Sequence, residues 1–255
     1  MRTGELVLIG RHPLASNYAA VARVEAQGRS RTVVYKPIRG ERPLWDFPDG
    51  SLAAREVATC RIDELGGFGL VPPTVLRDGP LGPGAVQEWV GEVERPAPSP
   101  VSVTRPDDVP EGNIVVLGGE DEEGDPLVVS HPDDPRLRSM AVLDAVINNS
   151  DRKGSHILLA DGGLRGIDHG VSLHEDPKLR TVLWGWAGEP LPEQETARLS
   201  RLAAALEEEA VREELVDLIT PVELDALTAR VGELLATGVH PAPSEGWPAI
   251  PWPPL

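Results

Sequence analysis

The sequence predicts an α+β fold of two lobes, a β-rich small lobe followed by a mainly helical large lobe. Three observations predict it. Short β-branched runs surround a single helical stretch in the first 90 residues, and residues 192–236 are almost wholly helical in pattern. The chain of 255 residues is also long enough to divide one good core between two small lobes. With hydrophobic residues at 40%, it belongs with globular rather than disordered proteins.

Residues 5–9 (ELVLI) and 20–25 (AVARVE) predict strands around a polar turn at Ala15-Ser16-Asn17, and 31–36 (RTVVYK) predicts a third strand. Over 51–65, Ala54, Val57, Ala58, Ile62 and Leu65 recur at helical spacing until Gly66-Gly67 stops the helix. Two strands follow at 74–76 and 85–90. Pro, Asp, Glu and Gly dominate residues 92–135, where only 114–117 and 127–129 are apolar, so a loop-rich acidic insertion with room for a hairpin is expected. Residues 136–148 predict a helix and 149–155 a loop. Strands at 156–159 and 164–168 flank a turn at Asp161-Gly162-Gly163. The helices of 192–236 should break near Thr220-Pro221. The Pro- and Trp-rich tail should run extended and pack where Trp247 and Trp252 find grooves. The division expected is a small lobe over 1–90, the insertion over 91–135, a large lobe over 136–237 and the tail over 238–255.

The formal net charge of -17 opposes both nucleic acid, which needs clustered Lys and Arg, and anionic membrane surfaces. One cysteine, Cys60, excludes a disulfide framework and cysteine-based zinc sites. The opening MRTGELVLIG lacks the pattern of a secretory leader, and no apolar run is long enough to span a bilayer. A cytoplasmic protein without stable membrane binding is expected.

Four features carry chemistry. Lys36 ends the apolar strand Val33-Val34-Tyr35-Lys36, and Glu56 lies on the helix that follows. Asn149-Ser150-Asp151-Arg152-Lys153-Gly154-Ser155-His156 places a histidine five residues after an aspartate. Gly166-Ile167-Asp168-His169-Gly170 places an aspartate at a strand end, two residues before a glycine. Each has an ordinary reading alone: a solvated lysine, a solvated helix glutamate, a polar turn, another turn. Together and in this order they supply what phosphoryl transfer from ATP requires, a cation for phosphates and carboxylates for magnesium and for the nucleophile. The base-to-ligand spacing of H-R-D-x-x-x-x-N and the D-F-G aspartate have counterparts here.

On these motifs the chain resembles the phosphatidylinositol 3- and 4-kinases, especially the type II 4-kinases, and is similar to an actinobacterial family of kinase-like proteins. Asn149-Ser150-Asp151-Arg152 looks like the type II N-T-D-R, Ile167-Asp168-His169-Gly170 like I-D-N-G, and Trp184-Gly185-Trp186 like W-A-W. Arg55-Glu56-Val57-Ala58 followed by Val71-Pro72 is similar to their small-lobe helix and its exit. The resemblance implies a protein-kinase-like two-lobed fold that uses ATP with Mg²⁺ or Mn²⁺. It implies Ser16 and Asn17 in a loop over the phosphates, Lys36 on the phosphates and Glu56 steadying it. Gln87, Glu88, Trp89 and Val90 would form the hinge against adenine through backbone groups. Asp151 would act as base or orienter of the acceptor, with His156 and Asp168 facing the metal.

The chain departs from the type II enzymes in two places. It lacks their cysteine-rich segment between Lys36 and Glu56, and it has His156 where they carry Asn. The expected acceptor is therefore a protein or small-molecule hydroxyl. A phosphatidylinositol acceptor, a non-catalytic nucleotide-binding regulator (a pseudokinase) and nucleotidyl transfer stand as alternatives. His131, His174 and His240 read as surface or turn residues, Glu207-Glu208-Glu209 as a solvated helix face, and Trp184 and Trp186 as packing residues.

Overall fold

The computed structural model describes residues 1–11, 17–95, 97–160, 162–244 and 248–255. Ala15 and Ser16 of the expected phosphate loop, Asp161 of the expected turn and Trp247 of the tail lie outside the described residues. The chain has the expected α+β architecture, a β-rich lobe followed by a mainly helical one.

In the small lobe, β1 (Glu5–Arg11), β2 (Ala20–Ala26), β3 (Arg29–Pro37), β4 (Thr74–Gly79) and β5 (Gly82–Glu88) form one antiparallel sheet in the order β1-β2-β3-β5-β4. Period-two alternation gives it two faces. Leu6, Ala22, Val24, Val33, Tyr35 and Val86 form a small core on one face. Val21, Val34 and Lys36 point the other way, because Val21 pairs with Val34, and Val34 and Lys36 are two residues apart. Helix α1 (Leu52–Gly66) lies between β3 and β4 in sequence and packs on β4 and β5. Ser51 starts it by accepting Ala54 N–H, and Gly67 ends it at φ 72, a conformation glycine adopts without strain.

Within the loop-rich insertion, the apolar stretches 114–117 and 127–129 lie in β7 (Asn113–Glu120) and β8 (Pro126–Pro132), which pair as a hairpin, and β6 (Ser102–Thr104) adds a third strand to this second antiparallel sheet, in the order β6-β8-β7. Its short strands hold because Val129, Ser130 and His131 of β8 are buried. The acidic tip between β7 and β8 stays at the surface.

The large lobe is built around α2 (Pro135–Ile147), a helix buried nearly all round, as its central place demands. A hairpin of β9 (Ile157–Ala160) and β10 (Gly163–Gly166) follows. Helices α3 (Glu193–Leu206), α4 (Glu209–Val216) and α5 (Pro221–Thr237) close the lobe, with Leu199, Leu202, Leu224 and Leu227 in the same core as Leu137, Leu143 and Ile147. The break at Thr220-Pro221 is the start of α5, where Thr220 and Glu223 form a reciprocal capping box. Glu207, Glu208 and Glu209 are exposed at the α3–α4 junction.

Two expectations need correction. His131, His174 and His240 are not surface residues but buried ones. His131 lies 4.6 Å from the buried Trp186 ring, His174 meets Phe47 edge-on at 5.2 Å, and His240 Nε2 accepts Arg138 Nε–H at 3.0 Å. Burial, with Arg138 alongside, pushes His240 down to about 4. The tail, too, is not held by Trp252, which is exposed. Main-chain bonds hold it instead: Thr181 N–H and the Trp184 indole donate to Ala249 O at 3.1 and 2.8 Å, and Gly154 N–H donates to Pro254 O at 2.8 Å. Among the described residues no helix is long and apolar enough to cross a membrane.

Candidate active site

The cleft forms where the Lys36 face of the sheet meets the loops after α2 and β10. Helix α2 ends at Asn148, left-handed at φ 51, a conformation asparagine tolerates. Its amide ties down a distant segment, donating to His174 O and Asp176 O at 3.0 and 2.6 Å and accepting Lys178 N–H at 2.9 Å.

The next loop is organised by a fully buried ion pair between Arg152 and Asp144. The Arg152 fork donates to Asp144 at 2.9–3.1 Å, and Asp144 also accepts from Asn149 Nδ2 at 3.0 Å and Thr181 Oγ1 at 3.1 Å. The remaining branch, Arg152 Nη1, donates to His156 O at 3.3 Å and Ile167 O at 3.1 Å. One guanidinium thus joins the loop carrying Asp151 to the segment carrying Asp168. A buried pair is sustained this way only because its donors and acceptors are met.

Asp151 stands outside this hub. Its N–H donates to Asn149 Oδ1 at 3.0 Å, and its half-buried carboxylate lies 3.3 Å from Lys153 Nζ. Asp168 has φ 61, a left-handed backbone uncommon for a non-glycine residue and frequent at functional sites. Its carboxylate is 51% exposed and reaches the small lobe: Lys36 Nζ donates to Asp168 Oδ1 at 2.9 Å and also to Glu56 Oε1. Burial opposes the Lys36 charge, but Asp168 and Glu56 outweigh it and hold the ammonium above its ordinary range. Lys36 in turn holds the Asp168 carboxyl well below the usual carboxylate range. The structure therefore brings Lys36, Glu56 and Asp168 into direct contact. Glu56 is buried there rather than solvated.

His156 Nδ1 lies 2.9 Å from Asp151 O, a pure acceptor, so Nδ1 carries a proton. Burial pushes the imidazole below its usual pKa and favours the neutral ring, whose Nε2 then presents a lone pair 3.4 Å from Asp168 Oδ2. Two acceptors face one another, an arrangement that suits a cation between them. Among the described residues no group of three or more His, Cys, Asp or Glu could hold a metal. A cation on His156 and Asp168 would therefore complete its shell with water and ligand oxygens.

At the other end of the cleft, Gln87 Nε2 donates to Thr74 Oγ1 at 2.9 Å, and Glu88 pairs with Arg31 at 2.6 Å. The amides of Glu88 and Trp89 donate to Pro73 O and Thr32 O at 2.9 and 3.1 Å, and half-buried Val90 follows. Asn17 does not reach the Lys36 cluster; its Oδ1 accepts Arg42 N–H at 3.0 Å in the connection between β3 and α1.

Sequence reading assigned no role to Lys153, Arg152, Asp144, Arg55 or His169. Lys153 had a signal, a cation two residues after Asp151. Arg55 is buried, donating to Glu223 Oε1 at 2.5 Å and Ser172 O at 2.8 Å. The His169 ring is buried 3.9 Å from Glu56 Oε2.

No protein-family model matches the chain. Among solved structures it is similar to the crystal structure of a Helicobacter pylori proinflammatory kinase, CtkA, with TM-score 0.43 and 11% identity over 91% of this chain and 93% of that one. Among curated proteins it is 46% identical, across a 263-residue alignment, to Protein Rv2133c of Mycobacterium tuberculosis (strain ATCC 25618 / H37Rv). That alignment takes in 98% of this chain and 92% of the other. With that identity along almost its whole length, the chain belongs to the family of the Mycobacterium tuberculosis Protein Rv2133c.

Proposed function

We propose that the protein is an ATP-dependent phosphotransferase that moves the γ-phosphate to a hydroxyl of a protein or small molecule. The observation that carries this reading is Lys36, which spans the cleft from Glu56 to Asp168. Lys36 takes the ATP phosphates while Glu56 steadies it. Val21 and Val34, half-buried on the same face, cover the base. Gln87, Glu88, Trp89 and Val90 form the hinge against adenine through backbone groups, the Glu88 and Trp89 amides being already engaged. Asp151 accepts a hydrogen bond from the acceptor hydroxyl and orients it, and Lys153 faces the phosphoryl group in transit.

His156 and Asp168 would hold Mg²⁺ or Mn²⁺, which when bound neutralises phosphate charge. Imidazole favours transition metals over Mg²⁺, whereas an amide oxygen suits Mg²⁺. His156→Asn should therefore lower the Mn²⁺/Mg²⁺ affinity ratio measured in the presence of nucleotide; an unchanged ratio removes His156 from the metal shell.

The type II resemblance is kept for the phosphotransfer machinery and not for the lipid, because a chain of net charge -17 gains nothing from an anionic membrane surface. The direct test incubates the protein with γ- and α-labelled ATP and a cell extract. Transfer of γ label alone is expected, and Asp151→Asn should lose about 10²-fold or more in transfer with ATP affinity nearly unchanged. Transfer of α label would mean nucleotidyl transfer. ATP binding with transfer of neither label would mean a non-catalytic regulator.

A further inference from the structure

We infer that the Gln87 side chain selects the nucleobase, its carbonyl oxygen accepting a hydrogen bond from a purine with a 6-amino group and opposing one with a 6-oxo group. The inference rests on the nucleotide-binding reading above and adds a specificity-determining residue to it.

Strand register places the side chain. Gln87 pairs with Val34 on β3 and with Thr74 on β4, and Lys36 pairs with Ala85 two residues back. Gln87 therefore shares the Lys36 face, at the end of β5 where the chain turns into Glu88, Trp89 and Val90. It is only 4% exposed, an unusual setting for a primary amide.

Proton count fixes the orientation of that amide. Thr74 Oγ1 has one proton, and it goes to Pro72 O at 2.8 Å. Toward Gln87 the hydroxyl can only accept, so the 2.9 Å bond comes from Nε2. With Nε2 committed to Thr74 on β4, Oε1 is the end of the amide left to a ligand on the Lys36 face that Gln87 shares. Thr74 and Pro72 O thus fix the donor end of the amide and leave the acceptor end for the ligand.

An acceptor held this way favours a ligand N–H and is opposed by a ligand carbonyl, and sites built around a specific hydrogen bond discriminate strongly. Adenine presents the amine. Hypoxanthine and guanine present a carbonyl at the same ring position. A 6-unsubstituted purine presents neither.

The test measures dissociation constants for ATP, ITP and purine riboside triphosphate with Mn²⁺, on wild type, Gln87→Met and Thr74→Val. Wild type should bind ATP on the order of 10-fold tighter than ITP, with the unsubstituted purine between them. Gln87→Met, of similar length and apolar, should bring the three together. Thr74→Val keeps Gln87 but frees the amide to turn, so the ATP/ITP ratio should fall mainly because ITP binding improves; a purely structural role for the pair would not improve it. If wild type binds ATP and ITP equally, or if Gln87→Met keeps the wild-type ratio, the inference is overturned while the nucleotide reading stands. If wild type binds none of the three, both fall.

Discussion

Asp63, near the end of α1, is 3% exposed and accepts Leu70 N–H at 2.9 Å. Burial raises its carboxyl from 3.8 to about 6, although the amides of Leu70, Val71 and Gly69 pull the other way. A raised folded pKa means that the folded state holds this proton more tightly than the unfolded chain does. Its stabilising contribution is present below about pH 4 and is lost as pH rises through about 6, a change on the order of 3 kcal/mol. Asp63→Asn keeps an acceptor for the loop and removes the charge. It should raise stability at pH 7.5 and flatten the fall between pH 4 and 6, read from urea unfolding at several pH values; an equal shift at every pH would refute this account. Residues of this kind are poorly legible in sequence. Lys36, Asp151 and Asp168 could be singled out because their spacing follows a chemical pattern. Asp63, Asp144 and Arg152 look like any solvated charge, since what buries them is a partner or a backbone amide supplied by the fold.

Among the elements, α1 does more than its single-lobe position in sequence suggests. Arg55 carries it into the large lobe by way of Glu223 on α5 and Ser172 O, with its guanidinium 5.1 Å from the Phe47 ring. Its neighbour Glu56 holds Lys36, so the α1–α5 tie positions the cleft. Arg55→Ala strands a buried Glu223 and should cost about 3–5 kcal/mol in chemical denaturation. Arg55→Lys keeps the charge without the fork and should cost less; equal losses would show that the fork is irrelevant. The start of α5 was legible from Thr220, Pro221 and Glu223, whose capping is local chemistry. In the second sheet the apolar stretches of β7 and β8 left room for a hairpin, but β6 was not legible, being a three-residue strand held by burial supplied from elsewhere.

At the scale of the whole molecule, the two lobes were legible because the hydrophobic period shifts from strand to helix along the chain. The ties between lobes were not, since they join residues 132 and 168 positions apart. One tie has a thermodynamic consequence. Lys36 serves as the resting counter-ion of Asp168, so a metal arriving alone must compete with an ammonium already in place. Triphosphate arriving alone must draw that ammonium away and leave the carboxylate bare. When both arrive, phosphate takes the lysine and metal takes the aspartate. Under the proposed function the two affinities are therefore linked, and linkage is reciprocal: whatever factor ATP adds to Mn²⁺ affinity, Mn²⁺ must add to ATP affinity. Paired titrations should give one factor of about 5- to 150-fold from either direction. In Lys36→Met, where Asp168 no longer starts out occupied, that shared factor should shrink, with Mn²⁺ binding more tightly on its own than it does to the wild-type protein.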